Sequence, residues 1–349
     1  MKIAIPYENG QVFQHFGHSA QFKLYTAEEG RITGAEVVST DGQGHGALVG
    51  FLVRSGVNVL LCGGIGGGAQ MALAQAGIRL CGGITEMSGE CGSRTNLEMP
   101  DVQRELLAEL LKTGKPVVLL NFAGRPTVLT WEKAHVPAIM NVWFGGSEMG
   151  DALCDVIFGD KSPSGKLTTS MPKTTGQEPL YYNHQNTGRP VADDNEKFAK
   201  FASNCLDVSN GPLYPFGYGL SYTYFSYSNF RLSSQEASIS NEEATEWQDD
   251  KKITASVTVK NNGSRDADEI VQLYIRDMVA SISRPVKELK GFQRIHLAVG
   301  ESKEVSFDIT PDMLKFYNAD LKHVIEPGDF QIMIGTNSKD VKTMKLNVK

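Results

Sequence analysis

The apolar pattern of this chain changes period once along its length, and that change limits the folds open to it. Up to about residue 160, short and nearly all-apolar runs alternate with helical patterns; Val57-Asn58-Val59-Leu60-Leu61-Cys62 and Val117-Val118-Leu119-Leu120 are examples. Such runs suit strands buried on both faces and linked by helices in parallel βαβ units. From residue 253 the pattern becomes strict alternation: Ile253, Ala255, Val257, Val259, then Val271, Leu273, Ile275, then Val305, Phe307, Ile309, then Phe330, Ile332, Ile334. Period-two strands separated by turns predict an antiparallel β-sandwich. The fold class is α/β followed by all-β.

Ile3 and Ile5 before Glu8-Asn9-Gly10 predict an opening strand and hairpin. Phe22, Leu24 and Tyr25, then Val37-Val38, predict two more strands, closed by Glu28-Glu29-Gly30 and Asp41-Gly42. A helix carrying Leu48, Phe51 and Leu52 follows, then the 57–62 strand, a glycine run, a short helix over 69–76 and a strand over 78–84. Beyond these, Pro100-Asp101 opens a helix in which Val102, Leu106 and Leu110 recur at four-residue steps. Strands over 117–120 and 138–144 flank a short helix over 130–135, and Ser147 N-caps a helix with the apolar face Met149, Leu153, Ile157. Residues 160–225, rich in Pro, Gly, Ser, Thr and Tyr, read as a long wrapping connection. Residues 235–252 read as a solvated acidic loop.

A chain of 349 residues has room for two or three domains, and 41% apolar with 21% charged residues is the composition of a soluble globular protein. A formal net charge of −6 without a basic run argues against nucleic-acid or anionic-membrane partners. No apolar run approaches the roughly 20 residues of a membrane span, and Met1-Lys2-Ile3-Ala4-Ile5-Pro6 reads as a strand, not a signal peptide. The five scattered cysteines suit a reducing compartment, so the expected location is cytoplasmic.

Two groups of residues carry chemistry. Between an apolar run and the next helix, Thr85-Glu86-Met87-Ser88-Gly89-Glu90-Cys91-Gly92-Ser93-Arg94 sets Glu86 and Glu90 near a guanidinium on a polar loop, as general acid chemistry requires. The alternative is that these are solvated loop charges. His15, His18, His45, Cys62 and Cys81 offer nitrogen and sulfur ligands for a soft metal or an iron–sulfur cluster, or are surface and core residues. Gly64-x-Gly66-x-x-Ala69 has dinucleotide-fingerprint spacing, but the helix after it is too short for a usual crossover and the run reads as a structural turn.

Gln14-His15-Phe16-Gly17-His18, Gly44-His45-Gly46-Ala47 and Cys62-Gly63-Gly64-Ile65-Gly66-Gly67-Gly68-Ala69 resemble the dinitrogenase iron-molybdenum cofactor biosynthesis family. The resemblance covers residues 1–84 and implies a small ribonuclease H-like α/β module, cut short at Ile84. It implies that His15, His18, His45 and Cys62 line a site for an iron–sulfur or iron-molybdenum precursor.

From residue 85 onward, Glu86-Met87-Ser88-Gly89-Glu90-x-x-Ser93-Arg94, Gly124-Arg125-Pro126, Phe158-Gly159-Asp160, Pro163-Ser164-Gly165-Lys166-Leu167 and Tyr214-Pro215-Phe216-Gly217-Tyr218-Gly219-Leu220-Ser221-Tyr222 resemble a family 3 glycoside hydrolase of the β-glucosidase type. The resemblance implies Glu90 as general acid/base, with Arg94, Tyr182 and His184 beside a β-linked glycoside, and no cofactor for this part. Residues 85–225 would be a partial parallel α/β sandwich. Ser283-Arg284-Pro285-Val286-Lys287-Glu288-Leu289-Lys290-Gly291-Phe292 marks residues 226–349 as a fibronectin type III-like β-sandwich. In that family the nucleophile is an aspartate after serine on a (β/α)8 barrel of about 250 residues; here no Ser-Asp dipeptide occurs and 89 residues precede Glu90. The chain thus reads as a chimera of two families, by natural fusion or by an artefact of the join, and is expected to be inactive alone unless a partner chain supplies the barrel. The 57–62 and 78–84 strands are expected to continue the parallel sheet of the hydrolase-like part and cover its edge.

Overall fold

In the computed structural model, which describes residues 1–8, 11–13, 16–28, 31–42, 47–62, 65–82, 94–146, 148–191, 199–248 and 252–349, strand β1 (Lys2–Glu8) pairs antiparallel with β2 (Gln11–Val12) and with β3 (Gln21–Glu28). Strand β3 pairs with β4 (Arg31–Ser39), as the apolar segments predicted. Helix α1 (Ala47–Arg54) leads to β5 (Val59–Cys62), parallel to β1; helix α2 (Gly67–Gln75) leads to β6 (Arg79–Gly82), parallel to β5. The sheet order is β4-β3-β1-β5-β6, with β2 beside β1. Alternation along β1, β3 and β5 turns Ala4, Phe22, Leu24, Leu60 and Cys62 to one face, where they pack with Leu48, Leu52 and Leu73. Residues 83–93, which hold the seam, lie outside the described residues.

The first of two compact units comprises residues 1–125 and 135–144; the second comprises residues 126–134 and 145–349. Helix α3 (Asp101–Leu111), β7 (Val118–Asn121) and β8 (Ala138–Asn141) complete the first unit. Helix α4 (Thr130–His135) straddles the division and α5 (Met149–Ile157) belongs to the second. Strands β7 and β8 pair in parallel from Val118↔Ala138 to Asn121↔Asn141, the βαβ arrangement read from the sequence.

Four expectations fail here, the last of them in part. No ladder joins β6 to β7 among the described residues, and β7 with β8 forms a separate two-stranded sheet, so the first sheet does not extend the second. Instead Glu105 of α3 reaches Arg79 on the outer strand β6 at 3.9 Å. With so few neighbours, β7 is not a buried strand: Val118 is exposed and Leu119 and Leu120 are half-buried. In α3 the stripe Val102, Leu106, Leu110 is exposed, and the covered face is Gln103, Arg104, Leu107 and Leu111. A four-residue repeat defines a stripe but not which of two adjoining stripes meets the protein. Likewise α5 half-buries Met149 and Leu153 and exposes Ile157, while its expected cap Ser147 lies outside the described residues.

The second unit is built on β9 (Phe225–Leu232), β10 (Glu236–Ala237), β11 (Ile253–Asn261), β12 (Ala267–Asp277), β13 (Glu288–Leu297) and β14 (Ser302–Ile309). A single turn α6 (Pro311–Leu314), the short pair β15 (Phe316–Tyr317) and β16 (His323–Val324), β17 (Gly328–Gly335) and β18 (Val341–Val348) follow. Two sheets, β10-β18-β17-β12-β13 and β14-β11-β9, enclose one core, and every alternating set named above faces it. Burying such side chains stabilises by about 1.5–3 kcal/mol each. The 235–252 stretch is not a solvated loop throughout: Trp247 is buried in this core, its indole N–H donating to the Ile309 carbonyl at 2.9 Å.

Strand β12 is buried on its other face as well. There Gln272 donates Nε2 to the Gly217 carbonyl at 3.0 Å, and Tyr274 donates its hydroxyl to Gln272 Oε1 at 2.5 Å. The cover is the predicted wrapping connection, in which Leu167 N–H donates to the Tyr218 carbonyl and Gly217 N–H to the Leu167 carbonyl. Gly217 has φ +79°, and a Cβ there would collide with Gln272. At one end of β12, Lys166 Nζ lies 3.2 Å from Glu269 Oε2; their side chains are 11% and 3% exposed. Tyr227 and Thr336 hydroxyls each donate to Glu269 Oε1 at 2.9 Å, and Lys166 also donates to the Gly219 carbonyl at 3.0 Å. Burial, then the Glu269 carboxylate, pushes the Tyr227 phenol above its ordinary range, which keeps it a donor.

Removing one member of a buried, hydrogen-bonded ion pair strands the other. Lys166→Met is therefore expected to destabilise the second unit by about 3 kcal/mol or more in urea unfolding, and Lys166→Met with Glu269→Gln to recover much of that loss.

Candidate functional site

Glu86 and Glu90, the candidate acids, and Ser93 lie outside the described residues; Arg94 is the first described residue after them. Its backbone is held from the Gly124-Arg125-Pro126 motif: Arg125 Nη1 donates to the Arg94 carbonyl. The chain then turns through Asn96, whose Oδ1 accepts the Glu98 amide at 3.0 Å, and Glu98 pairs with Arg104 of α3 at 3.1 Å. Sequence reasoning missed Arg125 as the residue that holds the Arg94 backbone. A half-buried arginine that donates to a backbone carbonyl leaves no periodic signal in sequence.

Tyr182 and His184 belong to the second unit, Arg94 to the first. The Tyr182 ring stacks on Phe216 at 4.1 Å and meets Tyr274 edge-on at 6.0 Å, and its hydroxyl accepts the Leu289 amide at 3.2 Å. Tyr182 is thus anchored into the packing above β12. His184 is exposed; its carbonyl accepts the Val286 amide at 2.9 Å and its Nδ1 lies 3.0 Å from the Gln185 carbonyl. A further residue without sequence signal is Glu132 on α4, a fully buried carboxylate.

Of the four implied cluster ligands, His15 and His45 lie outside the described residues. His18 ends a single turn over 16–18 whose Phe16 ring packs at a tilt of 59° against Phe22, centroids 5.9 Å apart. Cys62 is part of the apolar core, and burial pushes its thiol up to about 11. A metal ligand must be thiolate. Among the described residues no three His, Cys, Asp or Glu side chains come together in a way that could hold a metal ion. The described residues do not assemble a donor set, and no chemistry is derived through a cluster.

Comparison with known proteins places these features. Residues 68–222 match the glycosyl hydrolase family 3 C-terminal domain and residues 269–338 the fibronectin type III-like domain. The main part of this chain belongs to the family 3 glycoside hydrolases. Residues 1–90 match the dinitrogenase iron-molybdenum cofactor family, so residues 68–90 answer to both descriptions. The chain is 49% identical over 256 residues to a periplasmic beta-glucosidase of Salmonella typhimurium, covering 73% of this chain and 32% of that protein. A beta-xylosidase of Formosa agariphila is 40% identical over 278 residues, covering 79% and 36%. The beta-glucosidase of Listeria innocua, solved in complex with glucose, is 35% identical with a TM-score of 0.68, covering 87% of this chain and 38% of that one. The chain thus spans about a third of the length of these family 3 relatives.

Within the family 3 part, the structure separates anchoring from exposed residues. Tyr182→Ala is expected to lower stability by about 2–3 kcal/mol, because it removes a stacked ring. His184→Ala, on an exposed side chain, is expected to stay within about 0.5 kcal/mol. Thermal unfolding of both variants checks the difference.

Proposed function

We propose that residues 85–225 and 226–349 are the acid/base domain and the fibronectin type III-like domain of a β-glucosidase-type hydrolase, with Glu90 as general acid/base. Arg94 and His184 are the candidate contacts to a β-linked glycoside, and Tyr182 supports the segment that carries His184. The 49% identity with a periplasmic beta-glucosidase over 256 residues is the observation that carries this reading. Retaining hydrolysis needs two carboxyl groups about 5–5.5 Å apart, a nucleophile and an acid/base. Glu90 is read as the second, and no Ser-Asp dipeptide that could supply the first occurs in these 349 residues. The lone chain is expected to release no chromophore from an aryl β-glucoside above background, with Glu90→Gln indistinguishable from it. Turnover that vanishes in Glu90→Gln would refute the inactivity and support the residue.

Residues 1–84 form a module of their own in this reading, and the order β4-β3-β1-β5-β6 with β3 antiparallel to β1 supports a ribonuclease H-like label. The match of residues 1–90 favours a second activity, binding of an iron–sulfur or iron-molybdenum precursor through His15, His18, His45 and Cys62. Anaerobic reconstitution with iron and sulfide is expected to give a chromophore lost in His15→Ala and Cys62→Ala; absorbance independent of both residues removes this activity. Free Cys62, Cys154 and Cys205 fit a reducing, cytoplasmic setting.

A further inference from the structure

Below the sandwich's 278–287 loop lies a cluster of buried charges whose hydrogen bonding is incomplete. Asp277, the last residue of β12, accepts the Val279 amide on Oδ1 at 3.2 Å, and its Oδ2 is sealed from solvent with no hydrogen-bond partner among the described residues. Arg284 donates Nη2 to Glu288 Oε2 at 2.8 Å and lies 4.7 Å over the Phe316 ring, while its buried Nε also has no hydrogen-bond partner among the described residues. Arg284 attracts Asp277; Glu326 and Glu288 repel it. Glu326 accepts the Ser281 amide at 2.8 Å, and Lys290 Nζ stands 3.5 Å from Glu288. Burial first, and the two glutamates after it, outweigh Arg284 and push the Asp277 carboxyl up to about 6.

The same loop holds the segment over 182–186. Val286 N–H donates to the His184 carbonyl at 2.9 Å, Leu289 N–H to the Tyr182 hydroxyl at 3.2 Å, and Gln185 bridges Pro285. With its amide nitrogen facing the loop, Gln185 also donates to the Arg284 carbonyl at 3.1 Å. Arg284 is therefore at once the cation facing Asp277 and a clamp on this segment. Val279, next to the cluster, is 79% exposed, so little apolar burial opposes opening of the loop.

We propose that Asp277 and Arg284 form a proton-operated latch in which a neutral Asp277 lets the 278–289 stretch close on residues 182–186 and an ionised Asp277 loosens both. An ionised carboxylate with one bare, buried oxygen beside Glu288 and Glu326 is costly, and opening the loop admits the water that relieves it. Asp277 holds its proton more tightly in the folded than in the unfolded chain. Its contribution to stability is therefore complete below the unfolded carboxylate range and is lost as pH rises through about 6. The latch depends on packing within the second unit and stands apart from the sugar chemistry. Its output is the seating of the segment that carries His184.

Amide hydrogen exchange on the intact chain, corrected for intrinsic rates, tests the latch. Wild-type Val286 is expected to be protected about threefold or more better at pH about 5 than at about 7.5, and Asp277→Asn to be equally protected at both. Glu326→Gln, which removes one repelling carboxylate and keeps Asp277, is expected to move the midpoint of the wild-type transition to lower pH. Protection of Val286 that does not change with pH, an Asp277→Asn variant that keeps the wild-type dependence, or an unmoved midpoint in Glu326→Gln would each overturn the latch.

Discussion

Burial of β12 on both faces is the constraint on which the second unit depends. A strand in a two-sheet sandwich normally buries one face, and its other face reads polar. Here Gln272 and Tyr274 on the outer face are as inaccessible as Leu273 on the inner one. They can be so only because the connection before the sandwich lies over them and supplies the Gly217 carbonyl. The Lys166–Glu269 pair fastens that connection at the end of the strand, with Tyr227 and Thr336 satisfying the remaining carboxylate oxygen. The Pro163-Ser164-Gly165-Lys166-Leu167 and Tyr214–Tyr222 motifs therefore serve packing, and glycine at 217 is there because a backbone carbonyl must approach a buried amide.

The first unit shows what happens where such mutual cover is thin. Its five-strand path encloses a true apolar core around Phe22, Leu48, Leu60 and Leu73. Among the described residues strands β7 and β8 form a two-stranded parallel pair of their own, and the apolar stripe of α3 meets water. Parallel pairs gain their stability from flanking strands and from helices on both faces. Family 3 relatives are about three times as long as the span matched here.

Chemistry at an anomeric centre depends on the distance between two carboxyl groups, and a single loop acid cannot set that distance. What the described residues reveal about the candidate site is its scaffolding: Arg125 gripping the Arg94 backbone, and Tyr182 wedged against Phe216 so that His184 projects outward. The sandwich takes part in this scaffolding, since Val286 and Leu289 hold the His184 segment. A domain that looks like a passive module by its alternating pattern thus contacts the segment that carries His184.

Element type was legible in the sequence wherever burial is one-sided and periodic. The alternating sets at 253–259, 271–275, 305–309 and 330–334 all face the sandwich core, and the hairpin and parallel strands of residues 1–82 form as their apolar runs predict. Family motifs made the glycoside hydrolase relationship legible, although the acids at Glu86 and Glu90 lie outside the described residues. What the sequence alone determined was local: the period of each segment, its turns and the family it resembles, because these depend on neighbours along the chain. Only the tertiary structure decided which stripe of α3 is covered, that Trp247 and Tyr274 are core, that Lys166 meets Glu269, and that Asp277 is left with a bare oxygen. Each of those outcomes depends on the burial and charge contributed by residues far away in sequence, and no local period records them.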